Sequence, residues 1–339
     1  MTTTVVLPQP YLLFLGDETE GGYAKTAFGL RDWAADKCLG EFVTSEDAVS
    51  TGLPRMSPDE AAKRGAKSLV IGVANRGGII AASWIPALLD GLAAGLDIVN
   101  GLHARLNDIP ELVEAAASRG RKLIDIRTPP ANIPVATGAK RTGKRLLTVG
   151  TDCALGKKYT AMALTAAFLA RGKKTDFRAT GQTGIMIAGG GMPMDAVVSD
   201  FEAGAAEILS PAAPDDHWDV IEGQGSLFHP AYAPVSLGLL HGSQPDVLVV
   251  CHEPGRTQML GTAGFPVVTV EETVDLNLRL ASLTNKAVRC AGVSFNTSHL
   301  PEEEAIALMD RESVRLGMPV ADPMRGGEQF DRLVDACLG

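Results

Sequence analysis

The chain is poor in cysteine, and the cysteines it has follow no structural pattern. Cys38, Cys153, Cys251, Cys290 and Cys337 are odd in number and include no Cys-x-x-Cys pair, which argues against a disulfide framework and against a cysteine zinc knuckle. No uninterrupted apolar run approaches the roughly 18 residues that would suggest a membrane span. The most apolar stretch, residues 81–96, is broken by Ser83, Pro86 and Asp90. A basic segment leading into an apolar one is missing from the first residues, so the expectation is a soluble, cytoplasmic protein. Positive charge is scarce as well: 31 Lys and Arg face 40 Asp and Glu, a net charge of -9. That sign disfavours nucleic acid and anionic membranes as partners and leaves small molecules, with a local basic pocket still able to hold a phosphate. The six histidines are too scattered for a ligand set and paired acidic motifs are missing, so no metal is expected.

What is present is an ordinary globular composition, 45% hydrophobic and 21% charged. At 339 residues the chain is about twice the commonest domain size, which suggests two domains. Its 37 glycines point to tight turns and to backbone approaching a ligand closely. Short apolar runs at residues 11–15, 68–73, 97–100 and 122–126 alternate with helical patterns at 84–94 and 109–119. Ser57-Pro58-Asp59-Glu60 supplies a further helix start, with a cap, a first-turn proline and a carboxylate three residues on. A proline-rich lapse over 127–143 reads as a linker and places the domain boundary at 135/136. Strands are then expected at 145–149, 174–178, 219–222, 247–251 and 288–294, with an edge strand at 266–270. Helices are expected at 158–170, 195–209, 274–283, 302–315 and 327–336. Strands alternating with helices of this length make α/β units and a mainly parallel sheet.

The strongest local signal is an apolar strand running into Gly150, Thr151, Asp152, Cys153, Ala154, Leu155, Gly156, Lys157, Lys158 and Tyr159. A glycine loop that opens a helix directs backbone N–H groups at an anion, and a lysine adds charge. The loop is one residue longer than the usual phosphate loop. Lys158 stands where a magnesium-binding hydroxyl is expected, and Thr160 is two residues further along on another face. This favours a diphosphate held without phosphoryl transfer over a hydrolysed triphosphate.

Other candidates sit at predicted strand ends, where open parallel sheets bind ligands. Glu222, in Glu-Gly-Gln-Gly, is a candidate general base, and His252 is the histidine best placed to titrate near neutrality. Arg178 and Arg256 suit a substrate carboxylate, as does Arg76 in the Asn75-Arg76-Gly77-Gly78 loop. Gly181-Gln182-Thr183-Gly184 reads as a ligand-facing turn, His229 as a surface histidine, and Cys251 as a buried apolar side chain. Asn296 and Thr297 suit either the adenine end of a nucleotide or a helix cap.

The loop and its Gly-Thr-Asp opening resemble the phosphate loop of dethiobiotin synthetase and its relatives. Taken with Ala74-Asn75-Arg76-Gly77-Gly78, Asn-Gly-Leu-His at 100–103 and Glu222-Gly-Gln-Gly-Ser226, the whole chain resembles the D-glutamate N-acetyltransferase family. That resemblance implies a Rossmann-like domain at 1–135 and a P-loop NTPase-like domain at 136–339. It also implies acetyl transfer from acetyl-CoA to D-glutamate by a homodimer or homotetramer. Two competing expectations are a magnesium-ATP ligase or kinase using the same loop, and a nucleotide or coenzyme A sensor without turnover.

Overall fold

The computed structural model describes residues 5–75 and 77–339. The chain divides into two compact units. One runs to Pro130 and takes in Gln182–Ala196; the other comprises Ala131–Gly181 and Val197–Gly339.

The first unit contains strands β1 (Val5–Val6), β2 (Tyr11–Gly16), β3 (Cys38–Val43), β4 (Ser68–Ile71), β5 (Asp97–Asn100) and β6 (Leu123–Asp125). Its helices are α1 (Lys25–Trp33), α2 (Pro58–Lys63), α3 (Ile85–Ala93) and α4 (Pro110–Arg119). Five strands form a parallel sheet in the order β3-β2-β4-β5-β6. Strands β2, β4 and β5 are buried along their whole length, as a sheet covered on both faces requires. Helix α2 starts on the capping box expected at Ser57: its hydroxyl accepts from the Glu60 amide, and Glu60 accepts from the Ser57 amide at 2.8 Å.

The second unit contributes β7 (Lys144–Gly150), α5 (Lys157–Ala170) and β8 (Lys174–Arg178) before the chain enters the first unit. There it forms α6 (Gln182–Ala188) and β9 (Gly190–Gly191). Strand β9 pairs antiparallel with β1, and the Met186 carbonyl accepts from the Tyr11 hydroxyl at 3.1 Å. The expected glycine turn at 181–184 is thus the start of a helix with Ile185, Met186 and Ile187 buried. Back in the second unit come α7 (Ser199–Leu209), β10 (His217–Ile221), α8 (Ala233–Ser243) and β11 (Val247–His252). These are followed by α9 (Val270–Ala281), β12 (Arg289–Phe295), α10 (Glu302–Leu316), β13 (Val320–Ala321) and α11 (Gly327–Leu338). The sheet is parallel throughout, in the order β13-β12-β11-β7-β10-β8. Among the described residues, no helix is long and apolar enough to cross a membrane.

Two expectations for this unit need correction, and one helix was not expected. The helix expected over 195–209 is broken into a short turn of 3-10 helix, Met194–Ala196, and α7. The edge strand at 266–270 is absent. Pro266 bridges Gln258 within a hairpin, and Val270 already belongs to α9, because Thr269 and Glu272 form a capping box that starts the helix there. Helix α8 was not anticipated, since Pro234, Gly238 and Gly242 give it a poor helical sequence. Gly242 nonetheless fits its place: a Cβ there would lie 2.2 Å from the Ala203 carbonyl of α7, so the two helices meet at backbone distance.

Candidate functional site

Strands β10, β7 and β11 of the second unit lie side by side. Their C-terminal ends carry Glu222, the 150–158 loop and His252 respectively, so the sheet brings the main sequence candidates to one edge. Chain order also reverses across β7, with β10 on one side and β11 on the other, which is where open α/β sheets take ligands.

Side chains from below hold the loop in shape. Thr148, buried in β7, accepts from the Gly223 amide at 2.9 Å and donates to the Lys157 carbonyl at 3.2 Å. The Thr151 amide donates to the Cys251 carbonyl, and the Thr151 carbonyl accepts from Ser226 Oγ at 3.2 Å. Asp152 is fully buried and organises the turn. One of its oxygens accepts from the Cys153 amide at 2.6 Å; the other accepts from Arg256 Nη1 at 3.0 Å and from the Leu260 amide at 2.8 Å. Arg256 also donates to the Cys153 carbonyl at 2.8 Å and to Glu253 at 2.6 Å. The loop then reverses through Ala154 (φ +54°) and Gly156 (φ +100°) into α5.

The outcome is a set of unspent donors. Among the described residues, no acceptor is paired with the backbone amides of Ala154, Leu155, Gly156, Lys157 or Lys158. Such amides at a helix N-terminus make an anion cradle. Lys157 is buried, with Nζ folded onto the Asp152 carbonyl at 2.7 Å. Burial pushes the pKa of Lys157 and of Lys158 below the usual ammonium value, opposed at Lys158 by the nearby Glu222 carboxylate. An incoming phosphate would relieve both by supplying opposite charge.

Glu222 is buried, and its Oε2 accepts from the Thr180 amide at 2.9 Å and the Gly181 amide at 3.1 Å. Burial raises its pKa above the usual carboxylate range, against the pull of those amides and of Lys158. His252 is half-buried, with Nδ1 3.0 Å from the Thr151 hydroxyl, and burial depresses its pKa. The two strand-end groups are shifted in opposite senses, both toward the neutral form.

Several candidates fall elsewhere. Arg178 turns to Asp219 (2.7 Å) and Asp176 (3.0 Å), in a cluster with His217. Arg256 is committed to Asp152 and Glu253. Asn75, in the first unit, closes its own turn through two 3.0 Å bonds with Ile79. Arg76 lies outside the described residues. Asn296 donates to Glu253 at 3.4 Å and accepts from the Ser298 amide. Thr297 is buried against Asp322 and Arg325 and is structural. Thr160 is buried too, 2.8 Å from Ser294 Oγ, and so does not replace the missing loop hydroxyl. Cys251 is a buried side chain, as expected.

His229 is a correction: it is buried, not a surface residue. Its Nδ1 accepts from the Ala231 amide at 3.1 Å, so in the neutral ring Nε2 carries the proton and faces the Leu260 carbonyl at 3.3 Å. Asp152, Cys153 and His229 place possible ligand atoms within 4.8 Å of one another. The Asp152 oxygens and both His229 nitrogens are already engaged, so this cluster acts as structural support. The roles of Thr148 and Thr180 were missed in the sequence, where an isolated hydroxyl in or beside a strand carries no distinguishing signal.

Comparison with known proteins accords with this architecture. Residues 134–334 match the P-loop domain of unknown function DUF1611_C, and residues 35–129 match the Rossmann-like domain DUF1611_N. The chain belongs to the DUF1611 family. A crystal structure of a DUF1611 family protein from Anabaena variabilis superposes with a TM-score of 0.85 at 34% identity, covering 98% of this chain and 99% of that one. A protein of Tritonibacter scottomollicae named D-glutamate N-acetyltransferase is 50% identical over 98% of this chain and 99% of its own length. A second of that name, from a Pseudoalteromonas species, is 48% identical over 94% of this chain and 96% of its own.

Proposed function

We propose that this protein is a D-glutamate N-acetyltransferase, moving the acetyl group of acetyl-CoA to the amine of D-glutamate. The near-complete match to two relatives of that name supports the acceptor and the reaction class. The structural observation that carries the donor is the loop itself. It offers free amides and two lysines, while the hydroxyl that would hold magnesium is replaced by Lys158, and Thr160 is spent on Ser294. That suits the diphosphate of coenzyme A, bound and released intact without a metal.

The chemistry follows from the acceptor. D-glutamate arrives as an ammonium and must lose a proton before its nitrogen attacks the thioester carbonyl. A base whose pKa has moved toward neutrality is suited to that task. Glu222 is the first choice, because burial raises its pKa and one of its oxygens lies outside the two amide bonds; His252 is the second, on its strand-end position alone, since burial moves its pKa down and away from neutrality. Attack places negative charge on the thioester oxygen, which backbone amides at the strand ends can stabilise. Arg178 and Arg256 are engaged within the fold, so the acceptor's carboxylates fall to other donors. A homodimer or homotetramer in the cytoplasm completes the reading.

The test is incubation with acetyl-CoA and each enantiomer of glutamate, following free thiol. Thiol release dependent on D-glutamate is expected. Coenzyme A binding without release would indicate a sensor, and magnesium-dependent ATP hydrolysis in place of both would indicate a ligase.

A further inference from the structure

Beside the phosphate loop, residues 257–267 form a hairpin. The Met259 amide donates to the Phe265 carbonyl at 2.9 Å, the Val267 amide to the Thr257 carbonyl at 3.1 Å, and Gln258 bridges Pro266. Its base is packed, with Met259 buried, while its tip presents Leu260 (52% exposed) and Phe265 (46% exposed) to solvent. Large apolar side chains left open in this way ask for a partner when they cluster near a site.

The hairpin is tied to the loop through Leu260, and Thr262 Oγ1 lies 3.4 Å from His229 Nε2. The Leu260 amide donates to Asp152 at 2.8 Å, and the Leu260 carbonyl faces His229 Nε2 at 3.3 Å. The other face of that connection is aromatic: the His229 ring lies 4.6 Å from the ring of Tyr232, itself 51% exposed. Asp152 therefore fixes the anion cradle and the apolar tip through a single carboxylate.

We propose that Leu260, Phe265 and Tyr232 form the subsite for the pantetheine arm of the acyl-coenzyme A, an inference that rests on the donor assigned above. The arm leaves the diphosphate carrying a gem-dimethyl group and two amides before it reaches the thioester. A ligand anchored by phosphate at residues 154–158 brings that apolar segment to the surface next to the cradle. Inorganic phosphate or a nucleotide would use the cradle and leave the three side chains exposed.

The experiment is titration calorimetry with two ligands: coenzyme A, and adenosine 3′-phosphate 5′-diphosphate, which ends at the diphosphate. The Leu260→Ala/Phe265→Ala double variant alters exposed side chains, and its thermal midpoint checks that it is folded. Losing two partly buried apolar contacts should weaken coenzyme A about tenfold and leave the truncated ligand unchanged. Tyr232→Ala should act in the same sense. Equal affinity of wild type and variants for coenzyme A, or equal weakening of both ligands, overturns the subsite while the donor assignment stands. Wild type that binds neither ligand overturns both.

Discussion

The Arg256 guanidinium meets the fully buried Asp152 carboxylate at 3.0 Å, so a residue after β11 sets the shape of the loop after β7. Removing one member of a buried pair leaves the other charge uncompensated, at a typical cost of about 3–5 kcal/mol. Arg256 retains some access to water, its side chain being 16% exposed. Asp152→Asn keeps the shape and removes the charge; with Arg256 able to reach water it should lower stability by about 2 kcal/mol, below that range. Urea unfolding checks this, and the KM for acetyl-CoA should rise alongside.

Lys157 is buried beneath the loop with its ammonium on the Asp152 carbonyl. Lys157→Met fills similar space without charge. The KM for acetyl-CoA should increase about tenfold or more, as befits a lost charge-assisted contact. The KM for D-glutamate should stay within about twofold, because the acceptor does not share that contact. Equal changes in both constants would remove the diphosphate role.

Glu222 gives a pH signature of known sign. Its folded pKa lies above the 4.5 of the free side chain because burial disfavours the anion. The folded chain therefore holds a proton that the unfolded chain has released. The stability contributed is complete below 4.5 and is lost as pH rises through the raised value. Glu222→Gln should flatten that decline in a series of urea midpoints against pH. As the proposed base, Glu222 must be ionised, so kcat/KM should rise along an acid limb that vanishes in Glu222→Gln, with a loss of about 10²–10⁴ in kcat. A limb that survives in Glu222→Gln and disappears in His252→Gln would transfer the role to His252.

Gly223 has no room for a side chain. A Cβ would stand 1.7 Å from the Thr148 carbonyl and 3.1 Å from Lys157 Cδ. Gly223→Ala should cost about 3 kcal/mol or more, at the upper end of overpacking effects. The thermal midpoint measures it, and coenzyme A affinity should fall in the fraction that remains folded.

The order of elements in the second unit was legible because β7, β10, β11 and β12 carry apolar runs and are separated by helical lengths of chain. The loop was legible because its glycines and lysines are contiguous. Less visible were features that depend on partners distant in sequence. Strand β3 contains Gly40 and Glu41, which weaken any strand pattern. Yet Glu41 is buried, accepting from Ser50, from the amide and hydroxyl of Thr51, and from Arg55. The arginines mislead for the same reason: Arg178 and Arg256 look like free cations until Asp219 and Asp152, some 41 and 104 residues away, are seen to hold them. His229 is the converse, ordinary in sequence and central in the fold. Its role depends on a carbonyl 31 residues further on.

The excursion of Gln182–Ala196 has a bearing on synthesis. Although the sheet of the first unit is complete by residue 125, Ile185, Met186, Ile187, Met192 and Met194 are all buried and reach the ribosome exit much later. The early half must wait, partly unfinished, while β7, α5 and β8 are translated. A fragment cut at residue 130 would be left without that seal, so the first unit can close only after residue 196 has been made.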